Sequence, residues 1–281
     1  MRKRINLIPN VITAFGLCCG LFSIFLINMT GPGEVTRHLL FLTSLILLIA
    51  ALADLLDGAV ARAMHVETEF GGFFDSMSDA VTFGVAPPVI VLKSLSLPSG
   101  SDLSYLLTAA AMVFSLCGIL RLVRYNVSSL HVAEKIELLE AHRKHFTGLP
   151  IPAAAAALVS SNLFLMSEEG QNWVYIKEEF KAWILFVQMI VLGYFMVSRW
   201  KFLSLKSLNI KINSFQKIFF SVLIIVFVIF YGFIQHFSLT FLLISWSYVV
   251  IAWVLAIVRR LSGKKSLEEF EPDSEDEIEI Q

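Results

Sequence analysis

Two short stretches decide the fold of this chain: Asp54-Leu-Leu-Asp57-Gly58-Ala-Val-Ala61-Arg62 and, eight residues later, Gly71-Gly-Phe-Phe-Asp75-Ser-Met-Ser-Asp79. Both lie within long apolar runs, so their four aspartates occupy segments that otherwise suit the interior of a membrane. An aspartate at the centre of a membrane helix costs about 2.5–3.5 kcal/mol on insertion scales. The sequence therefore predicts membrane helices whose acidic residues have a compensating partner, and such residues indicate a functional site.

Composition supports a membrane protein. Of the 281 residues, 57% are hydrophobic and 16% are charged, and the mean hydropathy is +0.74. Soluble domains are about 45–50% apolar and about 25% charged. The basic residues lie in short loops between apolar runs, so no nucleic-acid partner is expected. We therefore expect membrane lipids to surround the protein.

Apolar runs of spanning length, about 17–25 residues, recur along the whole chain. They are too long for the strands of a membrane barrel and lack their alternation. The predicted fold is an all-α, polytopic membrane helical bundle with about eight transmembrane helices. The predicted helices cover residues 7–28, 38–63, 70–92, 103–125, 148–166, 181–199, 215–235 and 239–258.

The basic residues predict the orientation of these helices, because cytoplasmic loops are enriched in Lys and Arg. With the N-terminus in the cytoplasm and eight spans, all but four of the 22 basic residues lie inside. The four outside are Arg37, Lys93, Lys177 and Lys181. Both termini are therefore predicted on the cytoplasmic side, and so are the ends of the helices that carry the aspartates.

The spacing of the aspartates predicts a metal site. Asp54 and Asp57 are three residues apart, and Asp75 and Asp79 are four apart, so each pair shares one helix face. The short loop between the runs makes the helices antiparallel neighbours, and the two pairs then converge. Four carboxylates at low dielectric repel one another unless cations neutralise them. We expect Mg²⁺ or Mn²⁺, and two ions rather than one, as in sites of phosphoryl displacement.

The small residues near the aspartates fit a ligand site. Gly58, Ala61 and Gly71 remove side-chain bulk, and Arg62 is a cation suited to a diphosphate. Parts of this pattern also occur in membrane proteins of different function. A single intramembrane aspartate is often a proton relay, glycines often serve helix packing, and four carboxylates also suit an ion pathway.

The full spacing, D-x2-D-G-x2-A-R-x8-G-x3-D-x3-D, resembles the signature of the CDP-alcohol phosphotransferase family at every fixed position. The resemblance implies that Asp54, Asp57, Asp75 and Asp79 are metal ligands and that Asp79 is also the general base. It implies that the CDP group of the substrate binds near the small residues and the arginine. These positions are Gly58, Ala61, Arg62 and Gly71.

Further segments resemble the integral-membrane phosphatidylserine synthases of bacteria. They are Ile8-Pro9-Asn10-Val11-Ile12-Thr13, the stretch from Ser78 to Pro87, Arg121-Leu-Val-Arg124-Tyr125-Asn126 and Phe146-Thr-Gly148-Leu-Pro150-Ile-Pro152. This resemblance implies an enzyme that converts CDP-diacylglycerol and L-serine into phosphatidylserine and CMP. It also implies a bacterial-type inner membrane and a homodimer.

Residues outside the signature are candidates for substrate binding. Arg121 and Arg124 are three residues apart at the predicted cytoplasmic end of the fourth helix, so one can bind the serine carboxylate and the other a phosphate. They equally suit anchors that extend to lipid phosphates. Asn10 and Thr13 either contact the cytidine or cap the first helix. His131, His142 and His145 are expected to be surface residues.

Two further kinds of function are compatible with the buried carboxylates. Within the same enzyme class, the acceptor could be glycerol 3-phosphate, inositol phosphate or choline. From a different class, an ion or proton transporter would also bury carboxylates, but it would not need the glycines, Ala61 and Arg62 at these spacings.

The domain organisation follows from the resemblance and the charge pattern. Residues 1–199 are expected to form a six-helix catalytic core, and residues 200–262 two additional C-terminal helices. Residues 263–281 form an acidic, disordered cytoplasmic tail in this interpretation, because they carry many carboxylates and few apolar side chains.

Overall fold

The structure, a computed structural model, describes residues 7–31, 34–64, 68–98, 100–133, 146–173, 177–198, 201–202 and 230–268. Its helices are α1 (Leu7–Asn28), α2 (Arg37–Met64), α3 (Glu69–Asp79), α4 (Ala86–Ser94), α5 (Asp102–Ala133), α6 (Ile151–Met166), α7 (Glu168–Trp173), α8 (Glu178–Val197) and α9 (Phe237–Glu268). A π-helix, Ala80–Val85, joins α3 to α4, and two short strands, β1 (Phe146–Thr147) and β2 (Lys201–Phe202), pair antiparallel.

The prediction of a polytopic helical membrane protein is confirmed. Among the described residues, five helices are long and apolar enough to cross a membrane, namely Ile8–Asn28, Arg37–Met64, Asp102–Val127, Glu178–Val197 and Phe237–Ile257. The predicted fifth span is the shorter apolar helix Ile151–Met166. The predicted span at 215–235 lies mostly outside the described residues, so the count of eight stays a prediction.

Helix α6 is the central helix of the bundle. Its Ala154, Ala157 and Leu158 are fully buried, and small side chains let neighbouring membrane helices approach closely. The Gln188 side chain of α8 donates a hydrogen bond to the Ala157 carbonyl at 2.9 Å, a contact that depends on this approach. The outer face of α1 exposes apolar side chains such as Phe22. The polar residues of the bundle therefore face inward, and its apolar surface suits lipid.

The predicted third span is a broken helix. Pro87 and Pro88 start α4, and a proline lacks the N–H that would bond to the carbonyl four residues earlier. The Ser115 hydroxyl of α5 donates to one of the freed carbonyls, that of Gly84, at 2.8 Å. The chain forms a π-helix before the prolines, directly after Asp79. π-Helical turns are rare and are often found at functional sites.

A close crossing fixes α1 against this π-helix. A Cβ atom on Gly20 would lie 2.4 Å from Thr82 Oγ1, so only glycine permits the observed approach. The same two segments of chain are joined by a hydrogen bond in which the Ser78 hydroxyl donates to the Thr13 carbonyl at 3.4 Å. Because of this packing, the N-terminal half of α1 lies beside the end of α3 that carries the aspartates.

Gly148 holds the segment before α6 against the end of α8. Its φ is +88°, a conformation that favours glycine, and a Cβ atom there would lie 2.4 Å from the Met196 carbonyl oxygen. The Leu149 N–H donates to the Phe195 carbonyl at 3.0 Å. Gly148 thus has a backbone role in the fold, whatever the role of its segment in substrate choice.

A polar cluster lies at the end of α2 that is remote from Asp54 and Asp57. Arg37 pairs with Glu168 and also donates to Gln171 at 3.1 Å. The Glu169 carboxylate accepts from Ser238 and contacts His236, each at 2.6 Å. These contacts join α7 to the beginnings of α2 and α9.

Glu169 provides a test of this cluster. Its partial burial raises the pKa of the carboxyl, but the hydrogen bonds from Ser238 and His236 outweigh burial and hold the pKa below its ordinary value. A carboxyl with a lowered pKa stabilises the fold above its unfolded-state pKa, and this contribution is lost as the pH falls through the folded-state pKa. We expect Glu169→Gln to lower the thermal midpoint at pH 7 by about 2 °C.

The measurement is thermal unfolding in detergent at a fixed scan rate, repeated between pH 7 and pH 3. The difference between wild type and variant should shrink as the pH falls below about 4. Glu179→Gln, at an exposed position in the first turn of α8, serves as the control. Equal midpoints for wild type and Glu169→Gln at pH 7 would contradict the stabilising contact.

Candidate active site

The fold brings the aspartates of the two stretches together. Asp54 and Asp57 come from α2 and Asp75 from α3, and one carboxylate oxygen of each lies within 4.8 Å of the others. Asp57 is buried and the other two are half-buried. The convergence predicted from the i,i+3 and i,i+4 spacings is therefore present.

Asp79 lies beside this three-oxygen group rather than in it. It is one helical turn beyond Asp75, at the last residue of α3. Its carboxyl interacts electrostatically with that of Asp54 and with Arg121 of α5. Asp79 thus lies close to the other three aspartates and interacts electrostatically with a cation.

The aspartates fit a divalent cation. Asp75 Oδ1 is buried and has no hydrogen-bond partner among the described residues, and an unsatisfied buried carboxylate oxygen is costly. A small cavity of about 10 Å³ is lined by all four aspartates and by Thr13. Hard cations such as Mg²⁺ and Mn²⁺ prefer carboxylate oxygens. A cation bound here would satisfy the orphaned oxygen and offset the repulsion among the carboxylates.

Thr13 orients one of the candidate ligands. Its hydroxyl lies 2.6 Å from Asp57 Oδ2 and 3.1 Å from the Pro9 carbonyl, and the shorter contact is a charge-assisted hydrogen bond. Residues that hydrogen-bond to a metal ligand orient that ligand, and their mutation typically lowers metal affinity by about 10–100-fold. Thr13 therefore acts on the metal site through Asp57.

We expect Thr13→Val to weaken Mn²⁺ binding about tenfold, because valine keeps the shape of threonine but cannot donate to Asp57. Titration of the purified protein with Mn²⁺, followed by electron paramagnetic resonance, measures the change. Thr13→Ser keeps the hydroxyl and is the matched control, with an affinity close to wild type. Equal weakening in both variants would assign the effect to packing of α1 instead.

A larger cavity, of about 440 Å³, opens next to the aspartates. It gathers every residue that the sequence analysis assigned to the CDP group, namely Asn10, Thr13, Gly58, Ala61, Arg62 and Gly71. Asp57 and Asp75 line it as well, so the cavity reaches the metal site. Its volume is in the range of small-molecule binding sites, about 300–1,000 Å³.

Two glycines shape this cavity. At Gly58 the missing side chain leaves room for Arg62, whose Nη1 would lie 3.3 Å from a Cβ atom there. At Gly71 a Cβ atom would lie 3.0 Å from Thr68 Oγ1 and 3.2 Å from Asn10 Oδ1. The Thr68 hydroxyl also accepts the Gly71 N–H at 3.0 Å and so caps α3. The cavity therefore combines the guanidinium of Arg62, which favours an anionic ligand, with the first turn of α3, which also brings the Glu69 carboxylate into the lining.

The two arginines of α5 have different surroundings. Arg124 Nη1 donates to the Val197 carbonyl at 3.1 Å, a contact that ties α5 to the end of α8. Arg121 neighbours Asp79, and its buried Nε has no hydrogen-bond partner among the described residues. Neither belongs to the lining of the larger cavity. Their spacing predicts a shared pocket, whereas in the structure Arg121 interacts with Asp79 and Arg124 bonds to the end of α8.

Several residues of the site were missed by the sequence analysis. Thr68, Ser76, Tyr125 and Asn126 also line the larger cavity, and Ser76 and Asn126 are joined at 3.2 Å. Thr68 could have been identified from the sequence, because a threonine just before a helix is a typical N-cap. The side chain of His131, and both His142 and His145, lie outside the described part of the chain.

Comparison with known proteins identifies the family of this chain. Residues 6–178 match the sequence model of a family described as CDP-alcohol phosphatidyltransferase. This range covers α1 to α7 and contains both aspartate stretches. It leaves α9 outside the matched region.

Three relatives carry related names. A CDP-diacylglycerol–serine O-phosphatidyltransferase of Helicobacter pylori (strain J99) is 30% identical over 258 residues, which are 92% of this chain and 95% of that protein. A protein of the same name from Mycobacterium leprae is 30% identical over 176 residues, 61% of this chain and 52% of its own. An archaetidylserine synthase of Methanothermobacter thermautotrophicus is 38% identical over 118 residues, 41% of this chain and 44% of its own.

Proposed function

Because the chain belongs to the CDP-alcohol phosphatidyltransferase family, we propose that it transfers the phosphatidyl group of CDP-diacylglycerol to L-serine. The products are phosphatidylserine and CMP. The observation that carries the proposal is the aspartate group at the inner end of a cavity lined by Arg62 and the first turn of α3. The relatives described above are named for serine or archaetidylserine chemistry, which supports serine as the acceptor.

The larger cavity is the proposed site of the CDP group. Arg62 binds the diphosphate, and Asn10 and Thr68, on either side of Gly71, offer polar groups to the nucleotide. Phe73 lines the cavity and is also exposed on the apolar surface of the bundle. A lipid substrate can therefore reach the cavity from the bilayer, with its acyl chains remaining among the apolar side chains.

Asp54, Asp57, Asp75 and Asp79 are the residues proposed to hold two divalent ions, Mg²⁺ or Mn²⁺. Bound there, such ions would neutralise the diphosphate and stabilise the charge that develops during displacement at phosphorus. The orphaned Asp75 oxygen and the Thr13 bond to Asp57 support this assignment.

Asp79 is the proposed general base. It takes the proton of the serine hydroxyl, and the serine oxygen then forms a bond to the lipid-side phosphorus. The bond from that phosphorus to the bridging oxygen breaks, and CMP leaves with the electron pair. The position of Asp79 supports this role, because it is next to Asp54 yet outside the three-oxygen group.

Arg121 is the proposed partner of the serine carboxylate. It is next to Asp79, and its Nε has unused hydrogen-bonding capacity. A guanidinium pairs well with a carboxylate because its donors are held in a planar fork. The second predicted arginine, Arg124, is proposed to have a positioning role instead, through its bond to Val197.

The membrane is the proposed site of the reaction, with the active site and both termini on the cytoplasmic side of a bacterial-type inner membrane. The excess of basic residues on the predicted cytoplasmic side supports this orientation. We also propose a homodimer, on the family resemblance alone.

The proposed function is tested with purified protein, CDP-diacylglycerol, Mn²⁺ or Mg²⁺ and a panel of acceptors. The panel contains L-serine, glycerol 3-phosphate, inositol phosphate and choline, and CMP release is measured for each. We expect release that depends on L-serine and a product that contains serine. Release with another acceptor only would keep the transferase and reject serine. Ion flux in proteoliposomes without any CMP release would favour a transporter.

A further inference from the structure

Helix α5 fixes the end of the π-helix that follows Asp79. Pro88 has no N–H to donate to the Gly84 carbonyl, which would be its partner in an unbroken α-helix. The Ser115 hydroxyl of α5 donates to this carbonyl at 2.8 Å and also contacts the Ala111 carbonyl of its own helix at 3.0 Å. A hydrogen bond from another helix therefore replaces one that the proline removes.

A second hydrogen bond joins α5 to α3 on the other side of Asp79. The Ser76 hydroxyl donates to Asn126 Oδ1 at 3.2 Å. Asp79 follows Ser76 by three residues and Arg121 precedes Asn126 by five, so they are about 4.5 and 7.5 Å from this contact along their helices. From the contact between the π-helix and α5, the same two residues are five and six positions away. Asp79 and Arg121 are therefore level with each other to within about 3 Å.

The lining of the larger cavity indicates that Asp79 and Arg121 also turn to the same side. Asp75 is four residues before Asp79, and Tyr125 is four residues after Arg121, so each pair shares one helix face. Asp75 and Tyr125 both line the larger cavity. Asp79 and Arg121 thus lie one turn further along the two faces that border this cavity, in agreement with their electrostatic interaction.

The π-helix is also part of the wall of the aspartate site. Its Thr82 and Phe83 line the small cavity together with Asp79. Ser115 lines neither of the two cavities, so any effect that it has on the reaction is indirect. A shift of the π-helix would move Asp79 relative to Arg121, and a misplacement of about 1 Å can lower a rate by about 100-fold.

We propose that Ser115 is a positioning residue for the reaction. Its bond to the π-helix holds Asp79 level with Arg121, so that the base meets the hydroxyl of an acceptor bound by the arginine. The proposal rests on the proposed function, because it assumes that Asp79 is the base and that Arg121 binds the acceptor.

The test is Ser115→Ala in the full-length purified protein, with CMP release measured at varied L-serine and at varied CDP-diacylglycerol. We expect kcat to fall about tenfold because the base is misplaced, while both KM values stay within error of wild type. The affinity for Mn²⁺, followed by electron paramagnetic resonance, should not change, because the three-oxygen group contains no residue of the π-helix. Ser115→Thr keeps the hydroxyl and should restore most of the lost kcat.

Thr108→Val is the matched control on the same helix. The Thr108 hydroxyl donates to the Ser104 carbonyl of α5 at 2.8 Å. This variant therefore removes a contact within α5 without touching the π-helix, and its kcat should equal that of wild type.

An unchanged kcat in Ser115→Ala would overturn the proposal. A loss of kcat that Ser115→Thr does not restore, or one accompanied by weaker Mn²⁺ binding, would also overturn it, because Ser115 would then have a general structural role. If wild-type protein uses an acceptor other than serine, kcat with that acceptor tests Ser115 in the same way. If wild-type protein releases no CMP with any acceptor, the proposed function fails and this inference fails with it.

Discussion

Asp79→Asn is expected to abolish turnover, by about 10³-fold or more, while CDP-diacylglycerol still binds. Asparagine has the shape of aspartate but cannot take a proton from the acceptor hydroxyl, and a general base contributes about 10²–10⁴-fold to a rate. Asp79 lies outside the group of Asp54, Asp57 and Asp75, so these three ligands stay in place. The larger cavity is not lined by Asp79, so the donor site should remain intact.

CMP release measures turnover of the Asp79 variant, and the thermal shift on addition of CDP-diacylglycerol measures donor binding. Asp102→Asn, at an exposed position in the first turn of α5, should behave like wild type in both assays. If Asp79→Asn keeps more than a tenth of the wild-type rate, Asp79 is not the base. If it loses donor binding as well, its role is in assembling the site.

Asp75→Asn is expected to remove both Mn²⁺ binding and turnover, with an affinity for Mn²⁺ at least about 100-fold weaker. Affinity in carboxylate sites depends on the number of charged ligands. In the variant only two aspartates of the three-oxygen group remain, and the orphaned Asp75 oxygen is the one whose environment most requires a cation. Asp75→Asn thus differs from Asp79→Asn, which should keep substantial metal binding.

Titration with Mn²⁺, followed by electron paramagnetic resonance, distinguishes the two variants directly. Circular dichroism of each variant checks that the helices remain folded. Wild-type Mn²⁺ affinity in Asp75→Asn would contradict the metal site at these residues, even if the variant were inactive.

The helices of this fold could be predicted from hydropathy, but the break in the third one could not. Residues 70–92 form one apolar run in the sequence, and a hydropathy average over such a run carries no information about backbone hydrogen bonds. Pro87 and Pro88 are a signal for a break, yet the form of the break depends on Ser115, a residue of another helix, which bonds to Gly84. Helix α9 also continues to Glu268, beyond the predicted end of the last span at residue 258.

The aspartate group could be predicted because its geometry is local. Residues three or four apart share a helix face, and a short loop makes the two helices neighbours. The contacts that depend on the packing of distant helices could not be predicted. Thr13 meets Asp57 only because α1 crosses the π-helix at Gly20.

The arginines of α5 show the limit of spacing rules within a single helix. Arg121 and Arg124 are one turn apart, so spacing alone predicted a shared pocket. In the structure α8 ends next to Arg124 and offers it the Val197 carbonyl, while Arg121 remains beside Asp79. The position where a neighbouring helix ends therefore decides which arginine is available to a substrate.

Metal-dependent transfer to serine is tested most directly by restoring metal to the stripped enzyme. Purified protein is treated with EDTA and supplied with CDP-diacylglycerol and isotope-labelled L-serine, and Mn²⁺ is then added back. We predict no turnover before the addition, and afterwards equal amounts of CMP and labelled phosphatidylserine, with neither product from Asp79→Asn. Labelled phosphatidylserine formed without metal, or CMP released without any labelled lipid, would contradict metal-dependent transfer to serine at these aspartates.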